Sequence, residues 1–177
     1  MTEELETLKN VVEKLDEGRF QYLLTGSMAI GFYSIPRMTR DSDIIIQLYG
    51  KDISKFVNLL KDDFFIDKQM IEDSLAGGQM FNIFHKKTLF KIDFILKRNE
   101  DYENVKFERK KKLKVNGMSV NVISIEDLII SKLNWSKDSN SEMQLNDVRD
   151  LMKSECDKKY IADWVLKLNL KEIYNKL

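Results

Sequence analysis

The stretch that decides the fold of this 177-residue chain is RMTRDSDIII, residues 37–46. Its second half has the isoleucine-rich composition of a β-strand, and alternate residues of a strand face the same side of a sheet. Asp41 and Asp43 therefore face one side together, whereas Ile44 and Ile46 face the other. Two carboxylates this close repel each other unless a cation lies between them, and Mg²⁺ or Mn²⁺ suits such oxygen ligands.

A third acid has the same character in LFKIDFIL, residues 89–96. Asp93 is the single acid of this apolar segment, which we predict to be another strand. If the two strands are adjacent, three carboxylates converge, and such a set can hold two metal ions about 3.5–4 Å apart for an in-line phosphoryl displacement. Ion pairs are the simpler alternative. Arg40 could pair with Asp41 or Asp43. Lys91 could pair with Asp93, although as a neighbour on one face rather than an ideal partner.

Gly26 and Ser27 interrupt the chain between a short apolar strand and a predicted helix that runs to about Ser34. Backbone N–H groups at a helix N-terminus, together with a serine hydroxyl, can hold phosphate oxygens. Glycine also allows a close approach of the backbone to a ligand. An ordinary strand-to-helix turn capped by Ser27 is the alternative, because serine is a common N-cap residue.

The rest of the chain mixes helical and strand patterns in its first two-thirds and is helical afterwards. The fold class is therefore α+β (α/β): a small mixed β-sheet flanked by helices, with a C-terminal helical subdomain. We divide it into an α/β core, residues 1–123, and a helical part, residues 124–177. The predicted helices are 3–17, 27–34, 51–61, 124–135, 141–153, 157–168 and 169–176, and the predicted strands are 20–25, 43–48, 81–84, 89–96, 113–115 and 120–123.

Composition limits the chemistry available to this chain. The 29 basic residues balance 29 acidic ones, which argues against a protein that coats nucleic acid through its net charge. Cys156 and His85 are the only residues of their kinds, which excludes an internal disulfide, a cysteine-based zinc site and a multi-histidine metal centre. No signal peptide or membrane-spanning stretch is recognisable, so we expect a cytoplasmic protein.

The remaining candidates are charged residues in the last half of the chain. Residues 97–114 hold eight basic and four acidic side chains, which would suit an acceptor such as RNA or would simply be solvated. Lys132 lies in the apolar helix LIISKL, where a lysine either reaches the surface or has an anionic partner. Asp147 and Asp150 share a helix face and are candidate partners, while Arg149 points elsewhere.

Together these motifs resemble the DNA polymerase β-like nucleotidyltransferase superfamily. Within it, the chain is most similar to the AbiEii-like group, the minimal nucleotidyltransferases of abortive-infection and toxin–antitoxin systems. The resemblance covers about residues 20–152. It is carried by Gly26-Ser27, PRMTRDSDI at 36–44, KIDF at 91–94, SIEDL at 124–128 with Lys132, and DVRDL at 147–151.

The resemblance implies the nucleotidyltransferase fold and a role for each motif. Asp41, Asp43 and Asp93 would be catalytic and would bind two Mg²⁺ ions, with Asp93 acting on the attacking hydroxyl. The nucleotide would be bound by Gly26, Ser27, Arg40, Lys91 and Lys132. Supporting positions would be Arg37, Thr39, Asp147, Arg149 and Asp150.

The implied reaction transfers a nucleoside monophosphate from a nucleoside triphosphate to an acceptor hydroxyl, with RNA, in particular tRNA, as the expected acceptor. The alternatives are a hydroxyl of a partner protein, a small compound such as an aminoglycoside, and a domain that binds a nucleotide or a partner without catalysis. A cognate toxin or antitoxin would be its protein partner, and we expect no membrane partner.

Overall fold

The computed structural model describes residues 2–36, 38–78, 80–115, 117–139 and 141–177. Within these ranges the chain forms nine α-helices, one 3-10 turn and seven strands. The helices are α1 (Glu3–Glu17), α2 (Gly26–Ile30), α3 (Ile53–Leu60), α4 (Lys68–Gly77), α5 (Asp101–Glu108), α6 (Ile125–Ser139), α7 (Glu142–Leu151), α8 (Lys158–Lys167) and α9 (Lys171–Tyr174). The strands are β1 (Gln21–Thr25), β2 (Asp41–Gln47), β3 (Phe64–Phe65), β4 (Phe81–His85), β5 (Lys91–Leu96), β6 (Lys111–Val115) and β7 (Met118–Val122).

The described strands form one mixed sheet in the order β3-β4-β5-β2-β1-β7-β6. β2 runs parallel to β5 and β1 parallel to β7, whereas the other neighbouring strands are antiparallel. The central position of β2 explains its run of isoleucines, because a strand covered on both faces buries apolar side chains on both. The predicted class, a mixed sheet flanked by helices, is confirmed.

One face of the sheet is an apolar layer beneath α3, beside which α1 packs. Phe56 of α3 meets the rings of Phe20, Phe81 and Phe94 edge-on, with centroids between 5.2 and 5.8 Å apart. Such edge contacts between aromatic rings are favourable beyond the area they bury. Because β2 and β5 turn alternate residues toward this layer, the charged residues Asp41, Asp43, Lys91 and Asp93 are left on the opposite face.

Three helices, α5, α6 and α8, meet at one buried carboxylate, which we call the Asp127 hub. Asp127 of α6 accepts hydrogen bonds from the hydroxyls of Tyr102 (3.1 Å), Tyr160 (2.8 Å) and Ser124 (2.6 Å) and from Arg109 Nε (3.1 Å). The guanidinium of Arg109 also lies 3.9 Å from the centre of the Tyr160 ring. The hub therefore joins α5, α6 and α8.

The predicted helix at 3–17 and the four C-terminal helices are found near their expected positions. The prediction for 27–34 is wrong in extent, because α2 begins at Gly26 with Thr25 as its N-cap and ends at Ile30. Ser27 thus lies inside the helix and does not cap it. β5 begins at Lys91 rather than at Leu89, since the φ of Leu89 is 56°, in the left-handed region that strands do not use.

Two helices, α4 and α5, were not predicted from the sequence. The apolar residues of α5 do not recur on one face, so the periodic pattern that reveals an amphipathic helix is missing.

Buried apolar side chains between Leu8 and Ile173 form one cluster, and the division at residue 123 stays a prediction. None of the described helices combines the length and the apolar character needed to cross a bilayer.

Candidate active site

The register of β2 and β5 brings the predicted acids together. Asp43 lies directly opposite Asp93, and Asp41 lies opposite Lys91, in a parallel pair of strands. Residues opposite each other in a parallel pair share a face, so all three carboxylates are on the face opposite the apolar layer. On the neighbouring strand β1, Thr25 lies opposite Asp43 and so belongs to the same row of residues across the sheet. The predicted convergence of three acids from two strands is therefore what the fold builds.

Lys91 lies between two of these acids. Its Nζ is 2.6 Å from Asp93 Oδ2 and 3.5 Å from Asp41 Oδ2. The hydrogen bond to Asp93 raises the pKa of Lys91, although partial burial opposes this. The expectation that Lys91 is a poor partner for Asp93 is wrong, because the long side chain folds back over its own strand face to reach the carboxylate two residues on.

Asp43 carries the electrostatic cost of this arrangement. Burial, followed by the nearby charges of Asp41 and Asp93, raises the pKa of Asp43 to about 6, while Lys132 and Lys91 act in the opposite direction. A carboxylate short of favourable partners holds its proton more tightly than one in water. Asp43 is thus the acid for which an added cation would be most favourable.

The carboxylates of β2 and β5 are the donor set that a metal ion would use in this cluster. No group of three or more Asp, Glu, His or Cys side chains in the described part of the chain is placed so that it could hold a metal ion as it stands. The carboxylates nevertheless fit a divalent cation in kind. Asp93 is 4% exposed and its Oδ1 has no hydrogen-bond partner among the described residues, and Asp43 is held at a raised pKa. Both observations indicate a shortage of positive charge, which an oxygen-binding ion such as Mg²⁺ would relieve.

Gly26 brings the backbone against these acids. Its φ is 66°, and a Cβ at this position would lie 1.9 Å from Asp43 Oδ2. Both the left-handed backbone and the lack of space require glycine here. Ser27 follows in the same turn and, with Gly26 and Asp43, lines a shared cavity. The turn predicted to approach a phosphate therefore lies directly beside the carboxylates.

The segment before β2 contributes one direct contact. Thr39 Oγ1 donates a hydrogen bond to Asp41 Oδ1 (3.0 Å), which orients that carboxylate. Arg40 is exposed immediately before the strand. Arg37, predicted as a supporting residue, lies outside the described residues. Thr39 thus has a position that agrees with a supporting role, and the role of Arg40 stays a prediction.

Lys132 reaches the site from α6. It is 4% exposed, and its Nζ donates to Asp147 Oδ2 (2.7 Å) and to Gln144 Oε1 (2.9 Å) of α7. Its positive charge lowers the pKa of Asp43 in opposition to burial, so the ammonium acts across the cavity on the carboxylate cluster. Of the two alternatives for Lys132, the one with an anionic partner is correct, and Asp147 is an anionic partner.

Two predicted supporting residues have their contacts elsewhere. Arg149 donates to Glu142 Oε1 (2.6 Å) and to the carbonyl of Lys176 (2.9 Å) near the C-terminus. Asp150 is exposed and pairs with Lys153 (2.7 Å) on the same helix, so the idea that it pairs with Lys132 is wrong. Both residues brace the outer side of α7.

A cavity of about 430 Å³ opens beside Asp43, which is the one of the three acids that lines it. Gly26, Ser27, Asp43 and Lys132 line it, as expected, but so do residues that the sequence did not reveal. Trp135, one turn after Lys132, is 65% exposed and lines the cavity. Further lining residues that were not predicted include Tyr102, Glu103 and Lys106 of α5 and Gln144 of α7. Spacing could have indicated Gln144, which is three residues before Asp147, whereas α5 had no signal.

The basic run of residues 97–114 is partly used inside the fold. Lys106 is buried and pairs with Glu103 (2.6 Å), and Arg109 bonds both Asp127 and Glu126 (3.1 Å each). Lys111, Lys112 and Lys114 remain exposed on the edge strand β6. The positive charge available to an external partner is therefore smaller than the composition of the run indicates.

Comparison with known proteins identifies the fold. No protein-family model matches the chain, and no curated protein matches its sequence. Among solved structures, ANT(2'')-Ia in complex with adenylyl-2''-tobramycin is 13% identical with a TM-score of 0.60, and the match covers 98% of this chain and 99% of that chain. The lincomycin-bound lincosamide antibiotic adenylyltransferase LnuA is 14% identical with a TM-score of 0.55, covering 86% of this chain and 97% of that chain.

A third similar structure is a protein from Thermotoga maritima described as a nucleotidyltransferase. It is 13% identical, with a TM-score of 0.56, and the match covers 80% of this chain and 90% of that chain. At such identities the likeness establishes the fold alone. The chain therefore has the predicted nucleotidyltransferase fold, and the narrower likeness to the AbiEii-like group stays a prediction.

Proposed function

We propose that this protein transfers a nucleoside monophosphate from a nucleoside triphosphate to an acceptor hydroxyl and releases pyrophosphate. The observation that carries the proposal is the register that pairs Asp43 with Asp93 and leaves Asp41 on the same face. Gly26 and Lys132 border the same cavity. A carboxylate cluster facing a glycine turn and an ammonium is an environment suited to a metal-bound triphosphate.

The carboxylates would hold the divalent ions of the reaction. Asp41, Asp43 and Asp93 would bind Mg²⁺ or Mn²⁺, which would neutralise the phosphates and, as two ions, align the acceptor oxygen with the leaving group. The acceptor oxygen bonds to the α-phosphorus, the bond to the oxygen that bridges to the β-phosphorus breaks, and pyrophosphate leaves with that electron pair. Asp93 would take the proton of the acceptor hydroxyl.

The remaining residues would hold the triphosphate. In the proposal, backbone N–H groups of the Gly26 turn and the Ser27 hydroxyl contact phosphate oxygens, and Lys132, positioned by Asp147, supplies a positive charge from α6. Arg40, immediately before β2, and Lys91 of β5 would complete the set. Catalysis would then rest on positioning and charge neutralisation rather than on a protein nucleophile.

RNA, in particular tRNA, is the acceptor that the sequence favours. The protein would then act within a toxin–antitoxin or abortive-infection system, with a cognate partner protein. The exposed lysines Lys111, Lys112 and Lys114 agree with an acceptor that carries phosphates. A protein hydroxyl is a further alternative, as is a domain that binds nucleotide without turning it over.

A small hydroxyl compound is the second candidate acceptor, and two observations favour it. The cavity of about 430 Å³ has the size of a small-molecule site. One of the similar structures, LnuA, is an antibiotic adenylyltransferase by name, and the structure that matches 98% of this chain holds adenylyl-2''-tobramycin. An acceptor of this class would bind between the carboxylates and α5, where Glu103 and Tyr102 line the cavity.

Labelling distinguishes these acceptors. The protein is incubated with each α-labelled nucleoside triphosphate, Mg²⁺ and a cell extract, and label is sought in RNA, in protein and in small molecules. Asp43→Ala should abolish Mg²⁺-dependent transfer in every fraction, because it removes the central carboxylate. Asp163→Ala, which removes an exposed acid of α8, is the matched control and should label normally. Transfer by Asp43→Ala at the level of the wild type would contradict the proposal.

A further inference from the structure

We propose that Lys91 is a resident cation of the carboxylate site, which occupies part of the space for divalent metal until a nucleotide is bound. The inference rests on the proposed function and deepens it, because it makes the number of bound metal ions depend on the nucleotide. It follows from where the ammonium lies and from what its departure would leave behind.

The ammonium of Lys91 is placed as a bridging cation. It contacts one oxygen of Asp93 (2.6 Å) and one of Asp41 (3.5 Å), two acids that belong to neighbouring strands. A divalent ion shared by these two carboxylates would need the same oxygens. Lys91 and such an ion would therefore compete, since two cations cannot share these oxygens without strong repulsion.

Asp93 cannot be left without a cation. Its side chain is 6% exposed, and its second oxygen, Oδ1, is buried with no hydrogen-bond partner among the described residues. A buried carboxylate that loses its only ion-pair partner pays a large desolvation cost. Lys91 should therefore leave Asp93 only when another cation takes its place.

Lys91 itself is free to leave. Its side chain is 32% exposed, and lysine carries its charge on a flexible four-carbon stem. The triphosphate that we propose to bind beside Gly26 would offer it phosphate oxygens in exchange for Asp93. Nucleotide binding would thus provide both a new partner for Lys91 and further oxygen ligands for the metal.

Metal binding without nucleotide should then be incomplete. The Asp41–Asp43 pair can accept one divalent ion while Lys91 stays on Asp93, whereas a second ion requires the displacement of Lys91. Alternatively, Lys91 serves only to hold two strands together. In that case its removal would weaken folding but would leave the affinity for metal unchanged.

Calorimetric titration with Mn²⁺ tests the proposal. The wild type should bind about one Mn²⁺ per chain alone and about two with a mixture of the four α,β-methylene nucleoside triphosphates. Lys91→Met should approach two ions without nucleotide, with the affinity for Mn²⁺ raised by about tenfold or more, because the competing charge is gone. Lys91→Arg keeps the charge and should behave as the wild type.

Lys87→Met provides the matched control, because Lys87 is an exposed lysine in the turn before β5. It should titrate as the wild type.

A second readout is the melting temperature. Lys91→Met should melt below the wild type in chelator and should gain more than the wild type on addition of Mn²⁺, because the metal replaces the lost ammonium.

Three results would overturn the proposal. Equal Mn²⁺ affinity of Lys91→Met and the wild type would refute the role of Lys91 and leave the proposed function standing. Two ions bound by the wild type without nucleotide would do the same, and this measurement needs no variant. If no variant and no wild-type sample binds Mn²⁺ even with nucleotide, the proposed function fails together with the inference.

Discussion

Two of the buried aspartates, Asp127 of α6 and Asp93 of β5, have sharply different surroundings. Asp127 accepts two hydrogen bonds at each carboxylate oxygen, from Tyr102 and Tyr160 at Oδ1 and from Ser124 and Arg109 at Oδ2. Asp93 has Lys91 at one oxygen and no hydrogen-bond partner at the other among the described residues. One buried acid is saturated with donors, and the other is short of them.

The difference separates a structural carboxylate from one that, in our proposal, is prepared for a ligand. A buried charge is tolerated when its hydrogen-bonding capacity is filled, as it is where the Asp127 hub joins three helices. A buried charge that stays short of partners costs folding energy. Proteins keep such buried charges at sites where the binding of a cation or substrate offsets their cost. The sheet face bearing Asp41, Asp43 and Asp93 carries charges of this kind.

The largest effect that would test this contrast is on stability. Asp127→Asn should lower the free energy of unfolding by about 3–5 kcal/mol, because the amide nitrogen of asparagine would face two donors and leave two hydrogen bonds to a charged group unmade. Asp93→Asn should cost about 1 kcal/mol or less in chelator, since Asp93 makes fewer contacts. Urea denaturation of both variants measures the difference, and equal losses would contradict the division into two kinds of buried acid.

The next effect has the opposite sign. Asp43→Asn should raise the stability of the metal-free protein by at most about 3 kcal/mol at neutral pH, because the folded pKa of Asp43 is about 6 instead of the ordinary 3.8. Since the folded pKa is the higher one, the carboxylate weakens the fold progressively between about pH 4 and pH 6. The gain should therefore be complete above about pH 6 and absent near pH 4.

Denaturation of the wild type and Asp43→Asn in chelator across this pH range measures the effect. A gain that is the same at both ends of the range would show that it arises from packing rather than from charge. The variant should also fail to transfer nucleotide, so that greater stability and lost activity appear in the same protein.

The smallest effect is expected on the outer side of α7. Asp150→Ala removes an exposed pair with Lys153 and should change the free energy of unfolding by less than about 0.5 kcal/mol. Nucleotide transfer should be unchanged, because the contact lies away from Lys132 and Asp147. A marked loss of transfer would move the boundary of the site outward and would restore the supporting role that the sequence suggests for Asp150.

Much of the site was accessible from local patterns. The period of two along a strand places Asp41 and Asp43 on one face, and the position of Gly26 between strand and helix marks the close backbone approach. The helices α4 and α5 escaped prediction, and with α5 the cavity-lining residues Tyr102 and Lys106. Trp135 was also missed as a lining residue, because nothing in a helical pattern states which side faces a cavity.

The sequence by itself determined which residues of one strand or helix share a face, since this follows from backbone geometry within a single element. The tertiary structure alone decided that Asp93 lies opposite Asp43, that Lys91 bridges two of the acids, and that Asp147 rather than Asp150 holds Lys132. These outcomes depend on the register between strands and on the packing of helices distant in sequence. They are set by the fit of the whole core, which no local pattern encodes.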